Sequence, residues 1–352
     1  MLTYPLQAAP RNKIPDYLLK ELDIAIRDTV KGIIGLPTPT STHMFYAHSN
    51  CRGLGMVNCE TEVLLQHFAI AKRLASVSDE LFHKIYDCQK EMNECKQQLG
   101  VEGQTARQLR SKVREIASNQ WAKQSYQGVG VECFKLCPKA NGFMSHKGSL
   151  SCSEWTAAIK LNTNYANLRG VPANKSDQPS QTLCRKCCKE KEIPSHVLGF
   201  CDSNKLRIIA RHDKVKRSII ALLEDKKFKC AEEVGCKDTE GSNRRIDIVA
   251  LEPTSNKAYL IDPTIRFESK DIESKVFEEK KAIYDKCIPW FEQNFEKRNY
   301  EVIPLWFGSR GALGHQVMNL CDRLGIDKAK MVEIAENVLI DSIQIIHSHI
   351  YT

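Results

Sequence analysis

The chain has 352 residues, 42% of them hydrophobic and 27% charged, with a formal net charge of +8. That is enough for roughly two or three domains with a substantial core. No apolar run approaches a membrane span and the N-terminus lacks the basic-then-apolar pattern of a secretory signal, so an intracellular protein without a membrane partner is expected. In that setting fifteen cysteines argue for metal ligation and free thiols over a disulfide framework.

In chain order, residues 18–34 place Leu19, Leu22, Ile26, Val30 and Ile33 on one helical stripe that Gly35 stops. Residues 61–123 continue in a helical pattern, broken at Gly100 and Gly103. Residues 127–148 are irregular, 154–164 form a short helix, and 173–182 read as a polar linker. Beyond a cysteine-rich segment the periodicity changes: 206–223 is helical, while 246–251 and 258–265 are short β-rich runs. Residues 271–287 are helical, 300–307 strand-like, 308–314 a glycine-rich loop, and 327–349 a closing helix. The order helix, strand, strand, helix, strand describes a small α/β domain with a mixed sheet, so the chain as a whole is α+β with a helical N-terminal half. The divisions expected are 1–60, 61–182, 183–203, 204–314 and 315–352.

Between Cys184 and Arg245 there are 16 Lys and Arg against 10 Asp and Glu, so most of the basic surplus lies in one stretch. Arg185, Lys186, Lys214, Arg217, Arg244 and Arg245 are candidates for holding a phosphate backbone. Within the stretch, Cys184-x2-Cys187-x8-His196-x4-Cys201 supplies three thiolates and one imidazole, the donor set of a closed tetrahedral structural zinc site. Cys188 is an adjacent spare. Cys133, Cys137, His146 and Cys152 repeat the residue types with looser spacing, for which coincidence is the default reading.

Asp247 lies inside the apolar run Ile246-Asp247-Ile248-Val249, and Asp262 follows Tyr259-Leu260-Ile261, with Pro263 expected to end the ladder. A carboxylate in such a place needs a partner or a metal. Adjacent strands that each deliver one Asp can share a divalent ion, for which magnesium suits oxygen donors. On the next helix Val276, Phe277, Ile283, Tyr284 and Cys287 define the apolar face, which places Lys280 inward and Lys281 nearer the edge. Arg211 sits on the buried stripe of the preceding helix with Ile208, Val215, Ile219 and Leu222, where a guanidinium would contact phosphate or brace an acid. His212 and Asp213 stand beside it to cap or orient it.

These blocks resemble the C-terminal region of the polyprotein of site-specific non-LTR retrotransposons that carry a restriction-like endonuclease. The resemblance rests on the cysteine–histidine knuckle, then Arg211-His212-Asp213, Arg244-Arg245-Ile246-Asp247-Ile248, the run from Leu260 through Asp262-Pro263 to Glu268, Glu279-Lys280-Lys281-Ala282-Ile283-Tyr284, and Phe307-Gly308-Ser309-Arg310-Gly311. Upstream, residues 18–38 and Gly53-Leu54-Gly55-Met56 resemble the helical thumb that ends the family's reverse transcriptase, while the Asp-Asp pair of the polymerase itself is absent. The resemblance implies a nuclear, magnesium-dependent nuclease that nicks DNA, with Asp247, Asp262, Lys280 and Arg211 as its site, a zinc knuckle that grips nucleic acid, and DNA with element RNA as partners. The alternative is a catalytically silent or domesticated fragment that binds RNA or DNA through zinc. In the restriction-type motif the lysine lies two residues after the second acid, where this chain has Thr264. The resemblance moves the lysine to the following helix, with Lys281 second to Lys280 and Glu268-Ser269-Lys270 as a rival set.

Overall fold

The computed structural model describes residues 14–56, 58–78, 80–174, 179–296 and 298–352 and divides into two compact units, Met1–Gln127 and Gly128–Thr352. The regular structure of the first unit is helical. Helix α1 (Asp16–Ile34) closes at Gly35, whose φ of 68° lets its amide donate to the Lys31 carbonyl. Its apolar stripe is only partly covered: Leu19 packs on Cys59 and Val63 of α3 (Cys59–Leu74), whereas Leu22 and Ile33 stay exposed. After α2 (Thr42–Tyr46) and α3 come α4 (Glu80–Ile85), α5 (Cys88–Leu99) and α6 (Ala106–Ala122). Gly100, at φ 65°, ends α5, and a Thr105–Gln108 capping box starts α6. Leu65, Phe68, Cys95 and Leu109 form the small core among these helices.

The second unit opens with 3-10 turns at Val131–Lys135 and Pro138–Met144 and with α7 (Cys152–Asn162), which a Ser151–Glu154 capping box starts. Residues 175–178 of the expected linker lie outside the described residues. There follow α8 (Pro194–Gly199), α9 (Lys205–Asp225), β1 (Lys229–Lys237), β2 (Asn243–Leu251), β3 (Lys257–Arg266), α10 (Ile272–Tyr284), α11 (Ile288–Asn294), β4 (Asn299–Gly308), α12 (His315–Leu324) and α13 (Lys328–Tyr351). The strands form one mixed sheet in the order 1-2-3-4, antiparallel except for the parallel pair β3–β4, which α10 and α11 connect as a crossover. The fold class is thus α+β.

Both faces of the sheet are covered, which is why β3 and β4 are apolar almost throughout. One face lays Ile248, Ile261, Ile303, Leu305 and Phe307 against Val215, Ile219 and Leu223 of α9 and Ile334 and Val338 of α13. The other lays Val249, Leu260 and Val302 against Cys287 and Phe291. Two expectations are corrected. Strand β1 was not anticipated, since Lys229-Cys-Ala-Glu-Glu-Val-Gly-Cys-Lys237 lacks alternation; it forms at the sheet edge, where charged residues are tolerated. Pro263 does not end the ladder: β3 runs on to Arg266, because β4 pairs with it in parallel as far as Arg266↔Gly308.

Candidate functional site

Asp247 and Asp262 lie on the adjacent strands β2 and β3. The β2–β3 pairs run from Leu251↔Ala258 to Ile248↔Ile261, so each aspartate is the residue just past the last pair, where the ladder ends. Ile246 joins the core on one face and Ile248 the core on the other, although regular alternation would put both on the same face. Across from Asp247, Glu233 of β1 leaves the ladder at φ 53°.

Asp262 is 2% exposed. Lys280 Nζ lies 3.1 Å from both of its carboxylate oxygens, and the Thr264 hydroxyl donates to Oδ1 at 2.7 Å. The Tyr284 hydroxyl also bonds to Asp262; burial first, and then the charge of Asp262, push that phenol up. His212 Nε2 lies 3.2 Å from Asp247 Oδ2 and 2.9 Å from the Pro263 carbonyl oxygen. The bond to Asp247 raises the histidine's pKa against the opposing effect of burial. Lys280, Thr264 and Tyr284 thus gather on Asp262 and His212 on Asp247, both at the end of the β2–β3 ladder.

The remaining sequence candidates fall elsewhere. Lys281 turns to Asp285 at 2.9 Å on the surface. Glu268 is fully buried: it accepts from Arg310 Nε at 2.9 Å and from the Arg310 amide at 2.8 Å, while Lys270 is exposed. Arg211 is buried as its stripe position requires, but its guanidinium donates to Ser342 Oγ at 2.7 Å and to the Leu198 carbonyl at 2.8 Å, and burial pulls it down to about 10. It meets neither aspartate. The residue on α9 that does is His212, four after Ile208 and three before Val215, so its helical spacing already put it on the sheet-facing stripe. Tyr284 had been counted only as part of an apolar face.

The second cluster is built by a turn and a short helix. The Cys184 amide donates to the Glu190 carbonyl and the Cys188 amide to the Cys184 carbonyl, at 2.8 and 2.9 Å, which curls the chain so that Cys184 and Cys187 point the same way. Pro194 starts α8, which carries His196 inward, and the Cys201 amide returns to the His196 carbonyl at 3.1 Å. The donor atoms of Cys184, Cys187, His196 and Cys201 all lie within 4.8 Å of one another and could hold a metal such as zinc. Cys184 Sγ and Cys201 Sγ are 3.8 Å apart, and Cys187 Sγ and His196 Nε2 are 3.3 Å apart. Two thiolates about 2.3 Å from one tetrahedral ion would be separated by about 3.8 Å, so the donor set fits. Cys188 is exposed and takes no part. Cys133, Cys137, His146 and Cys152 form no such group among the described residues: Cys137 is in the sheet core, Cys133 bonds to the Ser269 carbonyl, and Cys152 is exposed.

Of the basic candidates, Arg185 grips buried Glu192 with Nε and Nη2 at 2.8 Å. Lys214 pairs with Asp341, Arg244 with Asp238 and Arg245 with Glu233, at 3.0, 3.0 and 2.7 Å. Lys186 and Arg217 project into solvent. No helix among the described residues is long and apolar enough to cross a membrane.

No protein-family model matches the chain. Three proteins of Popillia japonica, each described as a Retrovirus-related Pol polyprotein from type-1 retrotransposable element R2, are similar to the chain: one is 26% identical over 211 residues, covering 59% of this chain and 43% of its own length, a second 23% over 330 residues, covering 90% and 66%, and a third 23% over 278 residues, covering 76% and 36%. The chain thus spans between about a third and two thirds of the relatives it matches. Its homologues are R2 retrotransposon Pol polyproteins, matched over part of their length, which is consistent with a region of a non-LTR retrotransposon polyprotein.

Proposed function

We propose that the second unit is a magnesium-dependent DNA endonuclease of the restriction-like class, with Asp247 and Asp262 as metal-binding acids and Lys280 as the catalytic lysine. The observation that carries this reading is Lys280 Nζ at 3.1 Å from both oxygens of Asp262, with Asp247 likewise just past the end of the β2–β3 ladder. Two carboxylates with a backbone carbonyl beside them, that of Pro263, are hard oxygen donors that leave positions open for water, which suits Mg²⁺. When bound, such an ion polarises the phosphodiester and supplies a nucleophilic hydroxide.

The chain's own groups then have distinct tasks. Lys280 offers positive charge where charge develops on the phosphate or orients the attacking water. Thr264 and Tyr284 fix the rotamer of Asp262, and His212 does the same for Asp247. Lys281 is set aside on Asp285 and Glu268 on Arg310, and Lys270 lies exposed. Arg211 holds α9 against α8 and α13 and contacts no acid, so it supports the site from behind. The knuckle is proposed to bind zinc and to help hold DNA, and element RNA, through exposed cations such as Lys186 and Arg217. The nucleus follows as the location of a DNA-nicking enzyme.

The test is nicking of supercoiled plasmid by the full chain in Mg²⁺, compared with chelator and with Asp262→Ala. Loss of nicking in both controls supports the mechanism; equal activity of wild type and Asp262→Ala removes it. Retained DNA or RNA binding by a wild type that does not nick would instead favour the silent, zinc-dependent binding fragment.

A further inference from the structure

Outside the four metal donors, one buried network reaches the cluster from the last turns of α13. His349 is 1% exposed. Its Nε2 lies 3.6 Å from Cys184 Sγ and 3.0 Å from Glu192 Oε1, and its Nδ1 lies 3.0 Å from Asn204 Nδ2. The tautomer follows from the partners. Asn204 Nδ2 also faces the Val197 carbonyl at 3.1 Å, and a carbonyl oxygen can only accept, so the amide nitrogen donates on both sides and His349 Nδ1 is an acceptor. The ring proton therefore sits on Nε2, aimed at the Cys184 sulfur and the Glu192 carboxylate.

Glu192 is fully buried and also accepts from Arg185 Nε and Nη2, from the Arg185 amide at 2.8 Å and from the Arg169 amide at 2.7 Å. Burial works against its charge, but His349, Arg185 and the two amides outweigh burial and hold its carboxyl well below the usual range. Glu192 thus anchors His349 from the side opposite Asn204.

We propose that His349 is a positioning residue of the metal centre: its Nε2–H, anchored on Glu192 Oε1 at 3.0 Å, is shared with the Cys184 thiolate at 3.6 Å, so that metal loading and docking of the last turns of α13 are one event. A metal-bound thiolate keeps lone pairs and negative charge that a fixed N–H stabilises, and outer partners of this kind typically change metal affinity by about 10–100-fold. His349 is not counted as a fifth ligand, because three thiolates and His196 already close a tetrahedral shell and its proton occupies the nitrogen that would ligate. The consequence extends to the acids. Helix α13 carries Ser342, which holds Arg211, and the next residue of α9 is His212, which bonds to Asp247.

This inference rests on the reading of the four donors as a zinc site, and the experiment separates the two. Zinc content of the full chain is measured first, then zinc affinity by chelator competition for wild type, His349→Phe and His349→Gln, together with amide exchange of residues 343–351 before and after zinc removal. Phe keeps the volume without the donor; Gln supplies an N–H in place of Nε2. We expect Phe to weaken zinc binding about 10–100-fold and Gln to stay within about threefold of wild type, with exchange of 343–351 rising on zinc removal in the wild-type chain. Wild-type zinc affinity in His349→Phe, a Gln variant as weak as Phe, or unchanged exchange of 343–351 would each overturn the proposal while leaving the zinc site intact. A wild type that takes up no zinc overturns the four-donor reading itself.

Discussion

The buried pair Glu268–Arg310 gives the sharpest test of how this site is divided between chemistry and support. Both side chains are fully buried. Arg310 donates Nε to Glu268, Nη1 to the Leu161 carbonyl at 3.2 Å and to Asn164 Oδ1 at 2.6 Å, and Nη2 to the Val129 carbonyl at 2.8 Å. Its guanidinium carbon lies 4.8 Å from the Phe134 ring centroid and 4.5 Å from that of Phe267. Glu268→Ala leaves that cation with neutral acceptors and two π faces but no counter-charge. Breaking one side of a buried ion pair costs about 3–5 kcal/mol, and in a domain of this size each kcal/mol lowers Tm by about 2–4 °C, so a fall of about 6–20 °C is expected. Thermal unfolding followed by circular dichroism measures it, and adding Arg310→Met should recover part of the loss, since removing both charges is far less costly than removing one. If Glu268 were instead the catalytic acid of a Glu268-Ser269-Lys270 set, Glu268→Ala would abolish nicking with Tm unchanged. A Tm within about 2 °C of wild type would refute the structural assignment.

Three further outcomes follow from the same contacts. Lys280→Met should lower the nicking rate by about 10²–10³-fold, the scale of losing one preorganised charge donor, whereas Lys281→Met, whose lysine pairs with Asp285 on the surface, should stay within about twofold; equal losses in a plasmid assay would break the assignment. Ser342→Ala removes the acceptor of Arg211 Nη1 and should cost about 1–3 kcal/mol in urea unfolding, the penalty of an unsatisfied buried donor; a neutral result would show that the guanidinium finds another partner. Gly130→Ala should destabilise by at least about 1–2 kcal/mol for its left-handed backbone alone, since φ is +81° there, and a Cβ would stand 2.1 Å from Arg310 Nη2 and 2.5 Å from Glu268 Cβ. Unchanged stability of that variant would mean that the Arg310 cradle is not held as tightly as its distances indicate.

Local chemistry made several features legible in the sequence. The ligand spacing of Cys184, Cys187, His196 and Cys201 is a property of one short segment whose turn and short helix close on themselves, so donor identity nearly fixes geometry. The inward aim of Lys280 followed from helical periodicity alone, and the presence of β2 and β3 from their apolar runs. The tertiary structure decided the rest. Strand β1 carries no alternation because its edge position demands none. The placement of Asp247 and Asp262 at the end of one ladder depends on a register set by pairs between strands, and the partner of Asp247 comes from a different helix, where His212 and not Arg211 faces the sheet. Glu268 and Arg310 look like surface charges until Phe134, Phe267 and the Val129 and Leu161 carbonyls enclose them. His349 and Glu192 are separated by more than a hundred residues, and only the packing of α13 against the knuckle brings both to Cys184. The physical reason is common to these cases: a side chain's partners across the core are set by which faces must be buried, and no local pattern records which distant face will cover them.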